Sequence, residues 1–123
     1  MSAVRMKGAV PILRQFDEDA AFAFYRDYLG FTVNWTHRFE ADLPLYAQVS
    51  RDDLALHLSW HHGDATPGSA VFLPISGIDA FRAELSAKAY RNARPGIEDA
   101  PWGARTMTLL DPSGNRLLFN DKG

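Results

Sequence analysis

What most constrains this chain is an order of elements that occurs twice. A short apolar run, Ala9-Val10-Pro11-Ile12-Leu13, precedes a helical stretch and then three stretches of strand character; from Ser69 the same order begins again. The landmarks keep step. Asp19-Ala20 opens the first helix and Asp52-Asp53 turns the first hairpin, while Asp79-Ala80 opens the second helix and Asp111-Pro112 turns the second. A β-α-β-β-β unit that recurs predicts two fused structural repeats, here about residues 8–62 and 68–120, in an α+β fold. The Gly/Pro/polar cluster His61-His62-Gly63-Asp64-Ala65-Thr66-Pro67-Gly68 divides them.

In the first half, Pro11 removes a ladder donor, so its strand belongs at a sheet edge or is exchanged with a partner. Asp17 can cap a helix from Glu18 to Leu29, in which Ala21, Phe24, Tyr25 and Tyr28 form one apolar stripe, and Gly30 is the left-handed stop. Phe31, Val33, Trp35, His37 and Phe39 then alternate with Thr32, Asn34, Thr36 and Arg38, which is strand periodicity. Residues 45–51 and 54–61 read as two more strands around Asp52-Asp53. In the second half, 69–75 is an apolar strand. Ser76 reads as the N-cap of a helix, with Asp79 three residues on, and Phe81, Leu85 and Ala89 mark its buried face. A strand-poor stretch, 92–103, precedes a hairpin of 104–110 and 116–120 around Asp111-Pro112-Ser113-Gly114-Asn115, strong turn chemistry.

At 123 residues the chain suits one domain with a core that needs no staples. Zero cysteines exclude disulfides, thiolate metal sites and a cysteine nucleophile. A net charge of −2, with no basic cluster, argues against nucleic acid as a partner. No apolar run is long enough to span a bilayer, and the opening residues from Met1 to Lys7 lack the apolar stretch of a signal peptide. A cytoplasmic protein is therefore expected. No Ser-His-acid triad, Gly-x-Ser-x-Gly turn or phosphate-binding glycine loop is present.

Several residue sets carry a family resemblance: Val10-Pro11-Ile12-Leu13, then Phe24-Tyr25 with Leu29-Gly30-Phe31, then Pro101-Trp102-Gly103 and Asp111-Pro112-Ser113-Gly114-Asn115. In these the chain, from about Ala9 to Phe119, resembles the vicinal oxygen chelate superfamily of glyoxalases, extradiol dioxygenases and bleomycin resistance proteins. The first and third sets are similar to the bleomycin resistance branch. The resemblance implies one domain over residues 1–123, with the two modules curling their strands around a cleft. It also implies a homodimer, often with the first strand exchanged, a crossing that Pro11 would suit.

Metal-bearing members of the superfamily draw ligands from the first and fourth strands of each module. Alignment on the motifs places those positions at Val10, His57, Ala70 and Leu118. Only His57 can coordinate, and one imidazole makes no catalytic site. No metal and no cofactor are therefore expected, which argues against metal-dependent glyoxalase or dioxygenase chemistry. His57 and His61 lie about 13 Å apart on a strand, too far to share an ion. The group His61, His62 and Asp64 reads as a polar strand end rather than a weak metal site.

The inherited position puts His57 on the concave face, and period-2 alternation adds Ala55, Ser59 and His61. Leu54, Leu56, Leu58 and Trp60 then face the helix. Likewise Leu118 takes Arg116 and Asn120 to the cleft, leaving Leu117 and Phe119 to the core. Trp35 and Trp102 match positions where bleomycin resistance proteins carry aromatic residues that stack the drug. The parity Trp35 shares with Phe31 and Val33 would instead bury it, and both readings stand. Phe39, Tyr46, Arg105, Glu98 and Asp99 are expected neighbours. The expectation is thus a metal-free, dimeric antibiotic-binding protein, sequestering a planar aromatic, cationic compound such as bleomycin between protomers. The alternative is an isomerase, lyase or dioxygenase of the same superfamily using His57. A third reading is a structural dimer with no small ligand.

Overall fold

The computed structural model describes residues 3–91 and 93–123. Met1 and Ser2, which begin the segment read as lacking a leader, and Asn92, which begins the stretch read as strand-poor, lie outside the described residues. The chain forms β1 (Ile12–Arg14), α1 (Glu18–Phe22), a π-helical continuation (Ala23–Tyr28), β2 (Thr32–His37), β3 (Tyr46–Arg51) and β4 (Leu54–Ser59). Then follow β5 (Ala70–Pro74), α2 (Ile78–Ser86), β6 (Glu98–Asp99), β7 (Arg105–Leu110) and β8 (Arg116–Asp121).

The two modules are built alike. One four-stranded sheet has the order β1-β4-β3-β2 and the other β5-β8-β7-β6, each with its first strand parallel to its last. Register makes the equivalence residue by residue. Arg14 pairs with Ser59 as Pro74 pairs with Asn120. The next backbone N–H, of Gln15 or of Ile75, reaches back to Ser59 or Asn120 at 2.8 and 2.9 Å. β1 is an edge strand, as its proline requires, but it starts at Ile12 rather than Ala9. Pro11 cannot donate, and its carbonyl accepts from His57 N–H at 2.9 Å just before the ladder begins.

Asp17 caps α1, accepting from Ala20 N–H at 2.9 Å. The stripe Ala21, Phe24, Tyr25 and Tyr28 is buried as its spacing predicts, and Gly30 stops the helix at φ 76°. A regular α-helix to Leu29 is not what forms. From Ala23 the backbone widens to i→i+5 bonding, with Leu29 N–H on the Phe24 carbonyl. The cap of α2 also differs from expectation. Gly77, at φ 79°, occupies the cap position and has no side chain to bond, so the Asp121 carboxylate at the end of β8 accepts from Ile78 N–H. Ser76 is not the cap. α2 ends at Ser86, which leaves Ala89 exposed and off the buried face of Ile78, Phe81 and Leu85.

One continuous core lies between the sheets' inner faces and the helices. Leu56, Leu58 and Trp60, with Leu117 and Phe119, are buried there as alternation predicts. The modules meet through polar groups as well. Asp111, only 4% exposed, accepts from Gln15 Nε2 and Tyr25 O–H across the boundary, and from Ser113 N–H, Asn115 N–H and Asn115 Nδ2 within its own turn. Arg51 reaches Glu84 with two bonds of 2.7 and 2.9 Å. The opposite faces of both sheets are left open.

Candidate functional site

The open face of the first sheet carries its functional groups in cross-strand rows. Ile12, His57, Gln48 and Trp35 form one row and Ser59, Tyr46 and His37 the next. Trp35 reaches this face through a β-bulge. Val33 opposes Val49, yet Trp35 opposes Gln48, so β2 takes two steps against one on β3. The extra residue, Asn34, reverses the alternation. Val33 stays against the core, whereas Trp35 and His37 turn outward. The buried reading of Trp35 is therefore wrong: it is 42% exposed.

Trp35 stacks on Tyr46, with ring centroids 6.0 Å apart and planes 11° from parallel. His57 meets both rings edge-on, at 5.4 and 5.2 Å. Around these rings lies a half-open cavity of about 440 Å³ lined by Trp35, His37, Phe39, Tyr46, His61 and Asp64. Phe39 sits edge-on to both His37 and His61, at 4.6 and 6.2 Å. The cavity thus has aromatic walls and one carboxylate. Ser59 O–H donates to that carboxylate at 2.7 Å, which fixes its orientation.

His57 is fully engaged. Gln48 Oε1, 3.0 Å from Nε2, can only accept, so Nε2 carries the proton and Nδ1 accepts from Tyr46 O–H at 2.8 Å. Gln48 is held in turn by its amide bond to Asn34 Oδ1 at 3.1 Å. Burial, and then the charge of Asp64, raise the Tyr46 phenol above its usual value, keeping it a donor. An imidazole with both nitrogens occupied is a supporting strut for the two rings, not a poised base.

The superfamily's metal finds no donor set here. The residue beside His57 on the first strand is Ile12, and that beside Leu118 is Phe72. Each lies two positions beyond the expected Val10 and Ala70; Val10 precedes the β1 ladder, and Ala70 pairs with Arg116 instead. The shift changes nothing chemically, since none of these side chains can coordinate. Among the described residues no three His, Asp or Glu side chains are grouped to hold an ion.

Of the expected site residues, the structure brings together Trp35, Phe39, Tyr46 and His61, with His57 behind them. Ser59 has the right parity but is fully buried, occupied by Asp64 and His61 N–H, and does not line the cavity. Trp102 and Arg105 belong to the second sheet and do not line it either. Trp102, 59% exposed, lies in the turn before β7 and donates from Nε1 to Asn120 Oδ1 at 2.9 Å. Arg105 pairs with Asp79 and lies 4.0 Å from Asp99, while Glu98 pairs with Thr106 on the neighbouring strand. Sequence reasoning missed His37, Gln48 and Asn34. A polar His37 sharing parity with Trp35 in an otherwise apolar set was the available sign of a reversed face.

The comparisons agree with this architecture. A family model described as "Glyoxalase superfamily protein" matches residues 1–123, and no curated protein matches the sequence. Among solved structures the chain is similar to a bleomycin-binding protein from bleomycin-producing Streptomyces verticillus, complexed with copper(II)-bleomycin (26% identity, 96% of this chain and 98% of that one, TM-score 0.71). It is also similar to a glyoxalase-related enzyme from Clostridium phytofermentans (20% identity, 98% of each chain, TM-score 0.74). A third is an antibiotic-binding protein from Streptomyces sp. CB03234 (21% identity, 100% of each chain, TM-score 0.68).

Proposed function

The chain belongs to the glyoxalase superfamily, and we propose that within it this protein is a metal-free small-molecule-binding protein, capturing a planar aromatic, cationic compound of the bleomycin type. The observation that carries this reading is the cavity itself. Its volume of about 440 Å³ falls in the range of small-molecule sites. Its walls are the faces of Trp35, Phe39 and Tyr46, on which a flat ring stacks, and its one carboxylate, Asp64, is oriented by Ser59 toward a cation. An aromatic wall beside a carboxylate favours a cation on two counts, the ring quadrupole and the charge. Enzymatic chemistry has little support, because His57 has no free nitrogen and no donor set for a Lewis acid surrounds it.

The capture site is completed by a second copy of the chain. Both sheets leave an open face, and the second sheet's face exposes Phe72 (53%) and Leu110 (58%) beside Trp102. A homodimer that covers these faces would set Trp102 of one copy opposite Trp35 of the other, while Arg105, paired with Asp79 on the helix side of its sheet, stays outside the site. The similarity to bleomycin-binding and antibiotic-binding proteins supports the ligand class. No helix among the described residues is long and apolar enough to cross a membrane, which agrees with capture from solution.

The test is calorimetric titration of bleomycin into the wild type, Trp35→Ala and Trp102→Ala, with circular dichroism as a fold control. Each truncation is expected to weaken binding more than about tenfold, since central aromatic anchors carry over about 2 kcal/mol. No binding by the wild type, or unchanged affinity in folded Trp35→Ala, would overturn the reading.

A further inference from the structure

The repeat is broken where the modules meet, and the break leaves a second cavity. Each module turns its last hairpin toward the strand-to-helix turn of the other. At one seam the turn residue is Asp111, and the facing module supplies Gln15 and Tyr25, which donate to it at 2.8 and 2.7 Å. Ser113 Oγ accepts from Phe16 N–H at 3.0 Å, and Asn115 donates to the Arg14 carbonyl at 2.9 Å. That seam is closed.

At the other seam the position equivalent to Asp111 is Asp52, since Arg51 and Leu54 pair as Leu110 and Arg116 do. The position equivalent to Gln15 is Ile75, by the shared backbone bond. The position equivalent to Tyr25 is Leu85, because Ala21 N–H bonds the Asp17 carbonyl as Phe81 N–H bonds that of Gly77. Neither the Ile75 nor the Leu85 side chain can donate a hydrogen bond. The seam stands open as a cavity of about 470 Å³, with Phe31, Phe81 and Phe119 lining it and Asp52 and Asp53 at its rim. Arg51 and Glu84 also line it, but they are paired with each other.

We propose that this inter-module cavity is a second small-molecule site, separate from the Trp35 cavity, which takes a protonated amine on a compact apolar body. The body rests against Leu54, Pro74, Ile75 and Ala80, the apolar lining that is not buried, above the edges of the three phenylalanine rings. The ammonium supplies Asp52 and Asp53 with the N–H donors that Gln15 supplies to Asp111 at the closed seam. The free charge at the rim is negative, because Glu84 is neutralised by Arg51, so an anion of the same shape is refused.

The probes are 2-phenylethylammonium, neutral 2-phenylethanol and anionic 3-phenylpropanoate, each titrated to about 10 mM while backbone amide shifts are followed by two-dimensional NMR. Saturable shifts are expected at Ile75, Ala80 and Phe81, with the ammonium binding about tenfold tighter than the alcohol and the carboxylate not at all. Ala80→Trp, an exposed helix position lining the cavity, should abolish these shifts. The pair Asp52→Asn and Asp53→Asn should bring the ammonium down to the alcohol's affinity, and Trp35→Ala should change neither. Shifts centred on Trp35 and Tyr46, loss of binding in Trp35→Ala, equal binding of all three probes, or no saturable shift would each overturn the proposal.

Discussion

Asp111→Asn and Asp52→Asn make the same chemical change at equivalent positions of the two modules, and the structure assigns them different costs. Asp111 Oδ1 accepts from two backbone N–H groups, Ser113 and Asn115, at 2.9 and 2.8 Å. Its Oδ2 accepts from Gln15, Tyr25 and the Asn115 amide at 2.7–2.9 Å. An asparagine has one acceptor oxygen. In its better orientation it keeps the three side-chain donors and turns its own NH₂ toward the two backbone donors. Two stranded donors cost about 1–3 kcal/mol each, and three bonds weaken from charged to neutral acceptors. The expected loss is about 4 kcal/mol, a large share of a typical 5–15, or a fall in melting temperature of roughly 15 °C for a chain of this size. Asp52 is exposed and accepts no such bonds, and asparagine tolerates its φ of 52°. Its variant should stay within about 0.5 kcal/mol of wild type. Urea unfolding at neutral pH measures both. A loss below about 1 kcal/mol for Asp111→Asn, or equal losses for the pair, would refute the argument that one seam is closed by this carboxylate.

Three further outcomes are expected. Light scattering at micromolar concentration should give the mass of two chains, because a stable pairing that covers the open sheet faces should bury at least about 1,200 Å²; a monomer mass defeats it. Elemental analysis of untagged protein should show no stoichiometric Zn, Ni, Mn or Fe, and one ion per chain that disappears with His57→Ala would overturn the metal-free reading. Burial first, and the charge of Asp111 second, hold the Tyr25 phenol well above its usual value of 10.0. A raised folded-state value keeps its stabilising contribution complete below about pH 10 and loses it as pH rises further. Wild type should therefore lose stability above about pH 10 with a slope that Tyr25→Phe lessens, and parallel slopes in the two proteins would contradict the assignment.

Much of this molecule was legible in its sequence because the deciding interactions are local. The alternation of Leu54, Leu56, Leu58 and Trp60 against Ala55, His57 and Ser59 assigned the faces of β4, since a strand's side chains alternate whatever surrounds it. Asp17 and Gly30 bounded the first helical segment through backbone chemistry within a few residues, and the two hairpin turns kept the modules in step. The superfamily followed from the same motifs. Other features depended on contacts between distant residues. The cap of α2 comes from Asp121, some forty positions away, because Gly77 has no side chain to offer. Trp35 faces the cavity because pairing with β3 expels Asn34 as a bulge, and one extra residue reverses everything after it. Ser59 has the parity of a lining residue, yet the turn carrying Asp64 folds back over it. Asp111 and Asp52 read alike as turn residues. Only the partner module, presenting Gln15 and Tyr25 to one and Ile75 and Leu85 to the other, made the first a buried hub and left the second at the mouth of a cavity.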